Sequence, residues 1–389
     1  MQVIFWVSFP FGILSFVLPI YGRELGASAV EIGGLFSAFA LVPVVVRPLL
    51  GRALDRWGRR PFLLLGLSGY VVSMVVFALA DSIWLLTLGR FVQGMGQAFL
   101  WLTALTIVAD LAPSTGRGAN FGSVDESINR GAILGTTIGF IGLFTIQGPS
   151  PAGFRSFWPI LFAAFSIPAL LALVTAWRWI PETRPPLTPD PVQSRPISSQ
   201  LLALMGIVFV TGASSAMVWP LLMVFLEDHL NAGIAGLTVA YLPAALIGAV
   251  LPSRTGKWAD RFGRRTLMVA GLVLGALASV LIPHLRTVTL LAGLWAVESI
   301  GYAASVPAER ALVADIAGAD TRGTSYGLYT FAYFLGALVG PLAGGWLYDA
   351  VDPSTPFYLN AAVLLIGAGL VWVVLRERRP LRDQPAVSL

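Results

Sequence analysis

Five ionisable side chains, Arg90, Asp125, Glu126, Arg130 and Glu298, stand inside stretches that are otherwise apolar. If those stretches cross a bilayer, each isolated charge costs at least about 2.5–3.5 kcal/mol at mid-depth, so its presence needs a reason. Glu126 and Arg130 are four apart on one helical face and can neutralise each other. Arg90, Gln93 and Gln97 form a polar stripe with Trp101 one turn further on; Glu298, Tyr302, Ser305 and Glu309 form a second. Glu298 occupies the place of Gln93 when the chain is compared with itself at an offset of 205, so one half has a titratable group where the other has a neutral one. A carboxyl group withdrawn from water and then returned to it takes up and gives up a proton. Glu298 is therefore the expected proton carrier, with Arg90, Asp125, Glu126 and Arg130 as further proton-coupling residues. Two plainer readings stay open: a self-neutralising Glu126–Arg130 pair, and a permanent pair between Glu298 and Arg90.

These residues need helices to hold them at membrane depth. Of 389 residues, 56% are hydrophobic and 12% charged, and the mean hydropathy is +0.79. That is far too apolar for a soluble domain of ordinary composition. A helix crosses the hydrocarbon with about 20 apolar residues. Twelve such runs are present, near 4–20, 31–50, 61–80, 84–109, 119–145, 157–180, 200–226, 234–252, 266–283, 288–312, 323–348 and 355–375. They lack the short alternating pattern of barrel strands, so the fold class is all-α. The first run lacks a basic leader and a small-residue cleavage site, and is expected to be helix 1 rather than a signal.

The longest hydrophilic break, "PETRPPLTPDPVQSRPISSQ" from Pro181, is too rich in proline to continue a helix. It divides the chain into a six-helix bundle over 1–180, a cytoplasmic linker over 181–199, and a second bundle over 200–389 with a short cytoplasmic tail. At the offset of 205, Gly51, Asp55, Arg56, Gly58, Arg59 and Arg60 meet Gly256, Asp260, Arg261, Gly263, Arg264 and Arg265. Asp110, Arg117, Gly131, Gly135 and Gly139 meet Asp315, Arg322, Gly336, Gly340 and Gly344, with no insertion. The halves read as two repeats in the same orientation. With both termini cytoplasmic, about 20 of the 25 basic residues fall on or beside cytoplasmic loops, and Arg23, Arg155 and Arg286 fall outside. The net charge of +5 is thus the positive-inside bias of a plasma membrane protein, here expected in a bacterial inner membrane, and not a nucleic-acid surface.

"GRALDRWGRR" from Gly51 and "GKWADRFGRR" from Gly256 resemble the loop signature of the major facilitator superfamily of secondary transporters, between helices 2 and 3 and helices 8 and 9. "RFVQGMGQA" from Arg90 resembles its helix 4 motif, and the resemblance covers the whole chain. It implies alternating access and a drug/proton-antiporter-like activity. In physical terms Gly51 and Gly58 permit a tight turn, and the arginines hold that turn in the water and headgroup layer. The resemblance adds a conformational latch: Asp55 at the start of helix 11 and Arg59 with Asp110, with Asp260, Arg264 and Asp315 as the second copy. In helix 11, Gly336, Gly340, Pro341 and Gly344 match the family's glycine motif. Its usual antiporter position in helix 5 keeps Gly131, Gly135 and Gly139 but has Thr136 and Phe140 where proline and glycine are expected. Close helix packing explains all these glycines equally well.

Family precedent puts helices 1, 4, 7 and 10 around the cavity. The expected lining is then Trp6, Phe9, Gln93, Gln97, Trp101, Ser214, Ser215, Trp219 and Tyr302, with Tyr329 and Tyr333 nearby in helix 11. Aromatic walls with few polar groups suit an amphipathic or lipophilic solute. Catalysis finds no support, because His229 and His284 fall in outer loops and no nucleotide phosphate loop or metal-ligand motif occurs. No cofactor is expected, and with no cysteine there is no thiol chemistry. The sequence thus predicts a monomeric transporter whose partners are a small molecule, protons and the bilayer, exporting an amphipathic compound in exchange for protons. A proton-coupled importer of a sugar or organic acid, and a non-transporting receptor or scaffold of the same fold, are the alternatives.

Overall fold

The computed structural model describes residues 1–111, 117–147, 151–183, 198–230, 234–251, 262–317 and 322–375. Among these residues the chain is helical, without a β-strand. The helices are α1 (Gln2–Val7 and Phe9–Glu24), α2 (Ala29–Trp57), α3 (Arg60–Ala78), α4 (Ile83–Leu111), α5 (Arg117–Gln147) and α6 (Pro151–Trp179). They continue as α7 (Ser199–Leu230), α8 (Ile234–Val250), α9 (Arg264–Leu281), α10 (Val288–Ala317), α11 (Arg322–Ala350) and α12 (Thr355–Val374). Twelve helices match the twelve runs expected, and among the described residues ten of them have a stretch long and apolar enough to cross a membrane. The other two are α5, 31 residues long and carrying Asp125, Glu126 and Arg130, and α8, with 17 residues.

Local chemistry sets several ends. Ser28 and Glu31 form a reciprocal capping box that starts α2. Proline enters the first turn of α3 and of α12, where its missing N–H costs no helical bond. At Ser8 α1 is interrupted, because Pro10 has no N–H for the helical ladder. The Ser8 hydroxyl instead donates to the Ile4 carbonyl at 2.7 Å. α2 runs on to Trp57, well past the apolar run, so Gly51 lies inside a helix and is not a turn residue. Only Gly58 leaves helical geometry, with φ +91°, and Gly263 in the second copy has φ +92°.

The chain forms two compact units. One contains residues 1–193, 215–235 and 334–353; the other contains 194–214, 236–333 and 354–389. The C-terminal ends of α7 and α11 thus belong to the first unit. Its core joins Val7, Leu63, Leu67, Tyr70, Leu100, Val124 and Ala172, from α1, α3, α4, α5 and α6. Near the C-terminal end of α1 Tyr21 stacks on Trp158 at 3.9 Å, and the two polar tips are satisfied by the Ala80 and Phe77 carbonyls. Exposed tryptophans mark both ends of this unit, Trp57, Trp177 and Trp179 at one and Trp84 and Trp346 at the other. The second unit is built on Leu204, Val208, Met268, Leu312 and Val371, from α7, α9, α10 and α12.

The same glycine contact appears in each unit. A Cβ on Gly66 of α3 would meet the Leu100 backbone nitrogen at 2.6 Å, and one on Gly96 of α4 would meet the Gly66 carbonyl at 2.8 Å. In the second unit, 205 residues on, a Cβ on Gly271 of α9 would lie 2.8 Å from the Gly301 carbonyl of α10. Backbones that approach this closely exclude any side chain, which is why glycine recurs there.

Candidate functional site

The repeated loop signature is a clamp. Arg59 is only 4% exposed and donates from Nη1 to the Leu54 carbonyl at the end of α2, 2.9 Å away. The turn at Gly58 aims it back at the helix it follows. Glu182, just after α6, accepts the backbone N–H groups of Arg59 and Arg60 at 2.7 and 3.1 Å, a carboxylate at the start of α3. Arg60 donates to the Trp177 carbonyl at the end of α6 at 2.6 Å. Its repeat mate Arg265 donates to the Trp372 carbonyl near the end of α12 at 3.1 Å and lies over the Trp372 ring at 4.2 Å. Each motif therefore ties one helix start to the end of the last helix of its half. The side chains of Asp55, Asp110, Asp125 and Asp315, and all of Asp260, lie outside the described residues; Arg264 is the first residue of α9.

In the first unit the helix 4 stripe turns inward. Arg90 is 7% exposed and donates to Gln93 Oε1 at 2.7 Å and to the Leu35 carbonyl at 3.3 Å, between the rings of Phe36 and Phe39. Gln97 accepts from Arg47 of α2 at 3.4 Å, and Arg47 lies over Phe334 at 4.4 Å. Trp101 is half-buried against Phe11. Phe9, expected in the cavity wall, is buried because its backbone lies on Gly135, and half-buried Trp6 packs on it. Glu126 and Arg130 form their ion pair, and both side chains are more than half exposed.

Helix α5 shows what its glycines do. Cβ atoms on Gly131, Gly135 and Gly139 would meet the Phe5 carbonyl, the Phe9 carbonyl and Ile13 of α1, each at 2.2 Å. Both rows repeat every four residues, so two ridges interlock. In α11, Gly336, Gly340, Pro341 and Gly344 are buried, and a Cβ on Gly344 would lie 2.3 Å from the Met217 carbonyl of α7.

In the second unit Ser214, expected in the cavity, is buried. It donates to Asn360 Oδ1 at 2.8 Å while Asn360 Nδ2 donates to Ser279 at 2.7 Å, a relay joining α7, α12 and α9. Tyr329 donates to Glu309 at 2.6 Å. Tyr302 and Tyr333 are exposed, as are Ser215 and Trp219 on the part of α7 that packs with the first unit. Glu298 lines a cavity of about 690 Å³ between α9 and α10, walled by Leu274, Leu277, Leu281, Leu294 and Val297, with His284 of the intervening turn also on its wall. Among the described residues no ion-pair or hydrogen-bond partner reaches the Glu298 carboxylate. Sequence reasoning missed Glu182, Arg47 and the Asn360 relay. The only signal for them was a polar residue in or beside an apolar run.

Repeated helical bundles of membrane length, symmetric glycine contacts and a carboxylate in an apolar groove define a polytopic membrane transporter. The Major Facilitator Superfamily profile matches residues 3–251 and again 204–388, and the chain belongs to that family, whose members are transporters and not enzymes. It is 27% identical to the quinolone resistance protein NorA of Staphylococcus aureus (strain MRSA252), over 98% of this chain and 97% of the relative. It is 24% identical to multidrug resistance protein 1 of Bacillus subtilis (strain 168), over 92% and 91%. A POT family transporter solved in complex with 5-aminolevulinic acid shares the fold with a TM-score of 0.79 at 13% identity, over 96% of this chain and 94% of that one. The human organic anion transporter MFSD10 gives 0.68 at 20% identity, over 95% and 97%.

Proposed function

We propose that the protein is a monomeric, proton-coupled exporter of small amphipathic compounds in a bacterial inner membrane, with both termini cytoplasmic. Two six-helix bundles, 1–180 and 200–389, exchange access across the bilayer around a linker at 181–199. The names of the two bacterial relatives, quinolone resistance and multidrug resistance, support export of drug-like solutes. The observation that carries the coupling is Glu298: a carboxylate about ten residues into α10, on the wall of an apolar cavity, without a described partner. Such a group holds a proton while the cavity is dry and yields it when water enters. Exposed Ser215, Trp219, Tyr302 and Tyr333, with half-buried Gln97 and Trp101, are the solute contacts in this reading. Asp55, Arg59 and Asp110, with Asp260, Arg264 and Asp315, serve as the cytoplasmic latch.

Replacing the carboxyl by an amide keeps size and hydrogen bonding but removes titration. Glu298→Gln in proteoliposomes should lose transport driven by a pH gradient, while binding and gradient-free exchange of the solute persist. Undiminished pH-driven accumulation would refute the role of Glu298 in coupling.

A further inference from the structure

The first turn of α2 has four backbone N–H groups that no intrahelical carbonyl can satisfy below Ile32. Ile32 itself donates to the Ser28 carbonyl at 3.0 Å, and Glu31 donates to the Ser28 hydroxyl at 3.2 Å. The Ser28 N–H donates to Glu31 Oε2 at 2.9 Å, and the two that remain are claimed from the far end of the chain: Ala29 N–H donates to Asp349 Oδ1 at 3.2 Å and Val30 N–H to Asp349 Oδ2 at 3.0 Å. Asp349 stands on the last turn of α11, 320 residues from Ala29.

The backbones around this contact are shaped for it. A Cβ on Gly345 would lie 2.4 Å from the Ala29 carbonyl and one on Gly33 would lie 2.1 Å from the Pro341 carbonyl. The Ser37 hydroxyl donates to the Leu338 carbonyl at 2.6 Å. The two helices thus run antiparallel in direct backbone contact from Ala29 to Ser37, and the carboxylate closes the end of that seam. Phe144 occupies the place of Asp349 in the other repeat, 205 residues earlier, so the sequence provides this acid once.

We propose that Asp349 is an outer latch: its carboxylate, capping the first turn of α2, holds the outer ends of α2 and α11 together in one of the transporter's two states. Opening toward the outside must return two backbone N–H groups and one carboxylate to water. The latch uses helix-dipole attraction as well as hydrogen bonds, and a charge in that position is worth about 2- to 30-fold in an equilibrium. It rests on the orientation given above but not on the coupling ion, the solute or Glu298. The exposed Arg23–Asp228 pair nearby, at 3.5 Å, adds little, because ion pairs in water rarely do.

The chain has no cysteine, so a nitroxide pair can be placed on Asp81→Cys and Val351→Cys, both exposed at the outer end, and read by dipolar distance spectroscopy in nanodiscs. Asp349→Asn should lower the ratio of short to long distances by about 3- to 10-fold. Ala29→Pro attacks the same contact from the other side. It deletes one donor at the first helical position, where proline is well tolerated, and Ser28 already has the extended conformation (φ −68°, ψ 164°) that must precede proline. It should shift the ratio the same way, whereas Arg23→Gln should change it less than twofold. An Asp349→Asn ratio within twofold of the parent overturns the latch; should that variant not fold, Ala29→Pro decides by the same threshold. Labelling of Val351→Cys by a membrane-impermeant maleimide in intact cells reads the orientation separately, so a wrong orientation and a failed latch give different results.

Discussion

Glu126 and Arg130 are the two charges that the sequence brings together and that also meet in space, yet each side chain stays more than half exposed on α5. A surface pair in water would be worth little. A pair within a membrane-length helix differs, since either partner left alone is a naked charge at a cost of about 2.5–3.5 kcal/mol at mid-depth. Arg130→Leu should therefore reduce transport several-fold more than the double variant Glu126→Leu/Arg130→Leu, in which no charge is stranded. A double-mutant cycle on initial transport rates reads this, and additive losses would mean that the pair contributes nothing. The opposite arrangement is seen at Asn360, where Ser214 and Ser279 bond the oxygen and the nitrogen of a buried amide and no charge is involved. That relay was invisible in the sequence because each of its members is a single polar residue on a different helix. Ser214 looked like cavity lining for the same reason.

At the scale of helices, glycine decides the packing. The offset of 205 residues paired Gly58 with Gly263, both left-handed turns in the structure, and the structure adds the paired close contacts through Gly66 and Gly271. Gly135 makes the sharpest test, since its missing side chain faces the Phe9 carbonyl, a backbone atom that cannot rotate aside. Gly135→Ala should separate α1 from α5 and lower the thermal unfolding midpoint, at a cost of about 1–3 kcal/mol. A midpoint equal to the parent's would show that the two helices can slide without loss. What the sequence concealed was mostly capping over long separations. Glu182 caps α3 from about 120 positions away and Asp349 caps α2 from 320, and neither has a local pattern that betrays its partner. The C-terminal end of α2 was hidden for another reason: charged residues signalled a loop after Leu50, but helical backbone continues past an apolar run wherever its groups remain bonded, here as far as Trp57.

Taken as a whole molecule, the chain is fastened at several levels, with arginine clamps between helix ends, glycine seams along the helices and a carboxylate at one rim. The clamps at Arg60 and Arg265 make each first unit of motion larger than a single helix. α3 cannot tilt without drawing on the end of α6, nor α9 without drawing on α12. Exposed tryptophans stand at both ends of the first unit, and such indoles settle at the boundary between headgroups and hydrocarbon. Between those two levels α3 has 19 residues, about 28 Å of helix at about 1.5 Å per residue. That length makes the transporter a gauge of bilayer thickness. Lipids with much shorter or longer acyl chains would have to stretch, thin or tilt around a protein whose indoles resist vertical displacement, at fractions of a kcal/mol per Å. Since the Asp349 cap and the arginine clamps are small electrostatic contacts, a few Å of mismatch is of the same size as the forces that hold them. Transport reconstituted across a series of phosphatidylcholines should peak at a hydrocarbon thickness near 28 Å and fall on both sides, and a rate indifferent to chain length would mean that the indole anchors yield before the gates do.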